Sequence, residues 1–75
     1  MKWYYIKNDL GWYVEIVVTG VEFDIDSEED VITYDYKKVA YQSEATRFEM
    51  SSQACNMRYS VVKEEGFDVF LEEEK

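Results

Sequence analysis

Two aromatic and β-branched runs, Trp3-Tyr4-Tyr5-Ile6 and Trp12-Tyr13-Val14-Glu15-Ile16-Val17-Val18, stand on either side of Asn8-Asp9-Leu10-Gly11. Branched and ring side chains fill the pleated surface of a sheet, and a turn segment with glycine permits positive φ, so the pattern predicts a strand hairpin. Trp12, Val14, Ile16 and Val18 share one side of the second strand. After Thr19-Gly20 the apolar phase moves to Val21, Phe23 and Ile25, which marks the glycine as a bulge or tight turn. Glu22, Asp24 and Asp26 then project from the other side.

Further along, Ser27-Glu28-Glu29-Asp30 reads as an acidic loop, and Val31–Tyr36 as a strand in which Ile32, Tyr34 and Tyr36 alternate with Thr33 and Asp35. Residues 37–44 carry no clear period. A short strand is expected at residues 45–49, then a helix from Ser51 or Ser52 to about Glu65. In that helix a serine is the N-cap, Met50 and Cys55 form a hydrophobic staple and Gly66 is the stop. Phe67, Val69 and Leu71 alternate with Asp68 and Glu72 in a last strand. A rival pattern, Tyr41, Ala45, Phe48, Ser52, Cys55, Tyr59 and Val62, suits one long amphipathic helix, but the Met50-Ser51-Ser52 cap signal interrupts it. The expected fold is α+β: one domain, with a small antiparallel sheet of four to five strands and one helix packed on one face, in the order β-β-β-β-α-β, the strand before the helix being the uncertain one.

The 75 residues hold 17 acids against eight bases, a formal charge of -9, with no histidine, no proline and one cysteine. No base occurs between Lys7 and Lys37, whereas nine acids do: Asp9, Glu15, Glu22, Asp24, Asp26, Glu28, Glu29, Asp30 and Asp35. Such a balance disfavours direct binding of nucleic acid, which needs clustered Lys and Arg to neutralise phosphates, and disfavours anionic membranes. At 47% hydrophobic residues the chain is nonetheless too apolar to be disordered. Half or more of its 13 aromatic residues are expected in the core, because few aliphatics are available. A lone cysteine makes no internal disulfide, and residues 1–7 lack the apolar run of a signal peptide, so the expected compartment is the cytoplasm.

Residues that are missing constrain the chemistry most. Without histidine there is no ordinary general base near neutral pH, no Ser-His or Cys-His pair and no imidazole ligand, and three scattered glycines build no phosphate loop. The expectation is a noncatalytic protein without cofactor or metal. Asp24, Asp26, Glu28 and Asp30 follow the first half of a calcium-loop spacing, but Glu29 stands where that loop needs glycine and Asp35 where it needs glutamate. Cys55 is expected to pack as a small apolar group, and Arg58 to lay its stem along the helix rim and pair with a carboxylate.

The acids admit two readings. As a solvated coat they protect exposed strands and keep the chain soluble. As a recognition surface they imitate nucleic acid, since alternate residues of a strand stand about 6.7 Å apart, of the order of successive phosphates. Glu22, Asp24, Asp26, Glu28, Glu29, Asp30 and Asp35, with Tyr34 and Tyr36 as rigid aromatic anchors, are then the partner-binding residues.

The stripe Val21-Glu22-Phe23-Asp24-Ile25-Asp26, the loop Ser27-Glu28-Glu29-Asp30 and the stretch Ala45-Thr46-Arg47-Phe48-Glu49-Met50-Ser51-Ser52-Gln53-Ala54 resemble, in style and without an invariant motif, the small acidic proteins that phages and mobile elements encode against host defences, of anti-CRISPR or DNA-mimic type. The resemblance implies stoichiometric inhibition in the host cytoplasm: a protein with a basic groove, such as a nucleic-acid-processing complex, is blocked by charge mimicry. The alternative is a structural or assembly module that self-associates as a homodimer, with the acids serving solubility only.

Overall fold

A computed structural model describes all 75 residues. Four strands, β1 (Lys2–Asn8), β2 (Tyr13–Asp24), β3 (Glu29–Val39) and β4 (Phe67–Glu73), form one antiparallel sheet in the order β3-β2-β1-β4, and one helix, α1 (Ser51–Ser60), lies between β3 and β4 in the chain. The fold is α+β, with the helix against β1 and β4.

The first hairpin closes where the sequence places it. Asn8 Oδ1 accepts the N–H groups of Leu10 (3.1 Å) and Trp12 (2.9 Å), and Gly11 takes φ 89°, a left-handed conformation that glycine reaches without a Cβ clash. Beyond the turn, however, β1 and β2 pair only at Lys7 and Tyr13. Residues 46–48 enter between them: Phe48 and Tyr4 exchange both backbone bonds at 2.9 Å, while on the other side Thr46 donates its N–H to the Val14 carbonyl (3.1 Å) and accepts the Ile16 N–H on its Oγ1 (2.8 Å). The strand expected at 45–49 is therefore a single bridge. Its backbone is shared between two neighbours and part of the bonding comes from a threonine side chain, so no ladder extends along it.

Alternation on β1 and β2 divides the core in two. Ile6 and Val14 point to the helix side, where they are buried with Ala54, Val62 and Phe67 and surrounded by Tyr4, Ile16, Tyr36, Phe48, Met57 and Val69. Tyr5 and Tyr13 point to the other side and pack with Val39, Trp3 and Ala45. Seven of the aromatic residues thus serve the core, as the scarcity of aliphatics requires. Under the second cluster Glu72 ties β1, β2 and the turn at 42–44 to β4: it accepts bonds from the Tyr13 hydroxyl (2.6 Å) and Gln42 Nε2 (3.0 Å) and pairs with Lys7.

The helix departs from expectation at both ends. The Phe48 bridge holds the chain extended through Met50, so the cap position falls on Met50 without a side-chain bond, and the serines begin the helix. Met50 and Cys55 are both exposed and form no staple. The last turn closes at Ser60, not near Glu65, because the N–H groups of Val61 and Val62 both reach back to the Met57 carbonyl and Val62 turns into the core. Gly66, at φ 92°, shapes the turn into β4 instead. Arg58 binds the carbonyls of Val62 and Phe67 and no carboxylate, fixing the chain reversal after the helix. Cys55 lies one residue round from buried Ala54, on the rim beside Arg58, Tyr59, Asp68 and Val69. No helix is long and apolar enough to cross a membrane.

Burial is the largest influence on Glu72 and on its own would raise its pKa, but the bonds from Lys7, Tyr13 and Gln42 outweigh it and hold the carboxyl below its ordinary value. Burial, together with the bond to Glu72, pushes Tyr13 up to about 12. Glu72 contributes stability that is present above the ordinary carboxylate pKa and lost as pH falls through the lowered one. Tyr13 contributes stability that is present below pH 10 and lost as pH rises towards 12. Urea unfolding should show Glu72→Gln less stable by about 2 kcal/mol at neutral pH, with the gap to the native chain closing in acid. Tyr13→Phe should reduce the alkaline loss of stability and leave the part due to Tyr5, whose pKa burial also raises.

Candidate protein-binding surface on the β2–β3 arm

Beyond the core, β2 and β3 continue as a two-stranded arm. The molecule measures 42 × 24 × 18 Å and its radius of gyration is 13.5 Å, against about 11 Å for a compact domain of this length. Every residue from Val21 to Ile32 is exposed.

The register assigns each arm residue to a side, since directly opposed residues of an antiparallel pair share one face. Val14↔Lys38, Ile16↔Tyr36 and Val18↔Tyr34 lie on the helix side. The ladder shifts between Val18 and Gly20, leaving Thr19 as the extra residue, and resumes as Gly20↔Thr33, Val21↔Ile32, Glu22↔Val31, Phe23↔Asp30 and Asp24↔Glu29. The expected bulge is present and has a definite effect. It keeps Val21 and Phe23 on the same side as Val18, although an uninterrupted period of two would have sent them to the other. Gly20 suits this place because an added Cβ would stand 3.2 Å from Thr33 Oγ1, which bonds to Thr19 Oγ1 (3.0 Å) and to the Gly20 carbonyl (3.2 Å).

The arm is therefore two-faced. On the helix side Val18 (62% exposed), Val21 (61%), Phe23 (62%), Ile32 (48%) and Tyr34 (38%) form an apolar stripe, bare because α1 covers β1 and β4 and ends short of it. On the other side Glu22, Asp24, Glu29 and Asp35 stand with Val17, Val31 and Thr33 and, at the root, with Glu15 and the Lys37 that pairs with it at 2.9 Å. Of the nine residues singled out in the sequence, these four acids share a face. Asp30 stands opposite Phe23 on the apolar side, and Tyr34 and Tyr36 belong to that side too, Tyr36 packing against the core. The two tyrosines therefore flank Asp35 in sequence but back onto its opposite face.

Asp26 and Glu28 occupy the end turn, residues 25–28, so the i, i+2 row of acids on β2 stops at Asp24. There Asp24 Oδ1 accepts the Asp26 N–H (3.0 Å), and Glu28 takes φ 56°, the left-handed region that glycine or asparagine occupies at lower cost. The acids with calcium-loop spacing do not converge, and no three Asp, Glu or Cys side chains are placed to hold a metal ion.

The apolar stripe was visible in part as the shifted phase at Val21 and Phe23. Its being uncovered was not, because the position of α1 depends on the bridge at Phe48. Deleting Thr19 is expected to displace amide cross-peaks from Gly20 through Thr33 while those of Ile6, Ala54 and Phe67 stay in place, a comparison that two-dimensional NMR makes directly. Comparison of the chain with protein-family models, with curated proteins and with solved structures found no match.

Proposed function

We propose that the protein is a noncatalytic binding protein whose arm presents its acidic face to a basic surface of another protein, in the manner of an inhibitor that occupies a nucleic-acid-binding groove. The observation that carries this reading is the segregation of charge. Glu22, Asp24, Glu29 and Asp35 share one face of a projecting ribbon, Asp26 and Glu28 extend it around the tip, and no base lies between Lys7 and Lys37. Carboxylates concentrated on a thin projection attract a cationic groove over about a Debye length, roughly 8 Å at physiological salt, and speed encounter more than they tighten the complex.

Glu28 adds weight. A left-handed position at the end of the turn filled by glutamate, where glycine would cost about 1 kcal/mol less, is a small strain held at the tip, and such strain concentrates at working sites. A host defence protein such as a CRISPR effector is the kind of target that the resemblance to phage-encoded inhibitors suggests.

The test begins with a partner captured from cell lysate and released by added DNA or RNA. Against that partner the folded Glu22→Lys/Asp24→Lys/Glu29→Lys chain should bind at least about tenfold more weakly, and the native affinity should fall with salt. Glu28→Gly should raise thermal stability and still weaken binding, which separates recognition from folding. Undiminished binding by the folded triple variant would exclude the acidic face as the contact.

A further inference from the structure

The outer strand β3 has one side unpaired. Ile16 gives its N–H to Thr46 and Val14 receives the Thr46 N–H on its carbonyl, so both turn these groups away from β3. Opposed residues of an antiparallel ladder that do not bond to each other both turn outward, and the partners of Val14 and Ile16 are Lys38 and Tyr36. By the period of two, Asp30, Ile32, Tyr34, Tyr36 and Lys38 present their N–H and C=O groups to the open edge. The Tyr36 N–H is held meanwhile by the carboxylate of Asp35 (2.7 Å). The edge is 11 residues long, has no proline and carries exposed Ile32 and Tyr34 at its centre. Natural sheets seldom leave such an edge unguarded.

The sequence of this strand is complementary to itself. Glu29-Asp30 begins it and Lys37-Lys38 ends it, so an antiparallel copy brings acid against base at both ends. We infer that β3 pairs with β3 of a second copy across a two-fold axis at Tyr34, forming one continuous sheet through both chains. In that register Tyr34 opposes Tyr34, Ile32 opposes Tyr36 and Asp30 opposes Lys38, and all of these are outward-directed residues able to exchange backbone bonds. Moving the axis to Thr33 puts Asp30 opposite Tyr36, and moving it to Asp35 puts Lys38 opposite Ile32, so only the Tyr34 register matches the charges on the outward-directed residues.

Lys38 already reaches Glu64 at 3.3 Å on a half-exposed contact, and a second carboxylate joins it readily. The partner's Ile32 carbonyl replaces Asp35 on the Tyr36 N–H. The charge of -9 on each chain opposes approach, and the contact is narrower than a standard interface, so the dimer is a weak one that forms at high micromolar chain in physiological salt. The inference stands on the edge and its charges and does not depend on the acidic face having a foreign partner. Dimerisation would place the acidic faces of two arms on the same side of the joined sheet.

Sedimentation equilibrium up to millimolar chain, with circular dichroism as the check on folding, tests the register by charge exchange. The native chain should show a monomer–dimer equilibrium. Asp30→Lys alone and Lys38→Glu alone should each weaken it about tenfold or more by setting like charges opposite, and Asp30→Lys/Lys38→Glu together should restore it. Amide exchange at Ile32, Tyr34 and Tyr36 should slow as the native concentration rises. A native chain that stays monomeric throughout, single reversals without effect, or a double variant no better than the single ones would overturn the inference.

Discussion

The bridge between Tyr4 and Phe48, with Thr46 bonded to Val14 and Ile16 on its other side, is the interaction on which the shape of this protein depends. A hairpin with so short a turn would ordinarily zip along its whole length. Here three residues between the strands satisfy the facing groups of both, and β1 keeps β2 only at the turn. The wedge fixes where the chain enters α1, which therefore settles over β1 and β4. With β2 turned aside and the helix committed elsewhere, the outer part of β2–β3 has nothing to pack against. The exposed arm follows from the same few backbone bonds that build the core.

An arm of two strands is marginal unless something supports its faces. This one is anchored at its root, where Ile16 and Tyr36 reach the helix-side cluster, and is kept in register by the bulge at Thr19. Its two faces then differ in kind, apolar on the helix side and acidic on the other, and its outer strand ends in opposite charges. In the proposed readings these features meet different partners: the acidic face a basic surface, the open edge another strand. The core meanwhile draws on few groups. Glu72, with Lys7, Tyr13 and Gln42 around it, joins β1, β2, β4 and the turn at 42–44, a substitute for the second layer of packing that 75 residues cannot supply.

Much of this was legible in the sequence because it is written in short-range periods. Trp3–Ile6 and Trp12–Val18 around the Asn8–Gly11 turn are a hairpin, the phase change at Thr19-Gly20 is a bulge, and the alternation of Phe67 to Leu71 is a strand. What was not legible depends on contacts distant in the chain. The stretch at 45–49 has strand composition, but whether it forms a ladder or a wedge turns on Tyr4, 44 positions before Phe48, and Val14, 32 positions before Thr46. The same contacts decide the cap at Met50 and the exposure of Cys55. For the candidate surface, composition located the acids correctly along the chain, whereas their division between faces required the register: Tyr34 and Tyr36 adjoin Asp35 in sequence and lie behind it in space.

The wedge can be tested directly through cross-strand nuclear Overhauser effects between backbone protons. The structure predicts a strong amide–amide contact between Tyr4 and Phe48, which exchange both backbone bonds, and neither an α–α contact between Tyr5 and Glu15 nor an amide–amide contact between Tyr4 and Ile16, the contacts that an uninterrupted β1–β2 ladder would make beyond Lys7 and Tyr13. Contacts at Tyr5–Glu15 and Tyr4–Ile16, with the Tyr4–Phe48 contact absent, would mean that the hairpin closes fully and that no wedge leaves the arm bare.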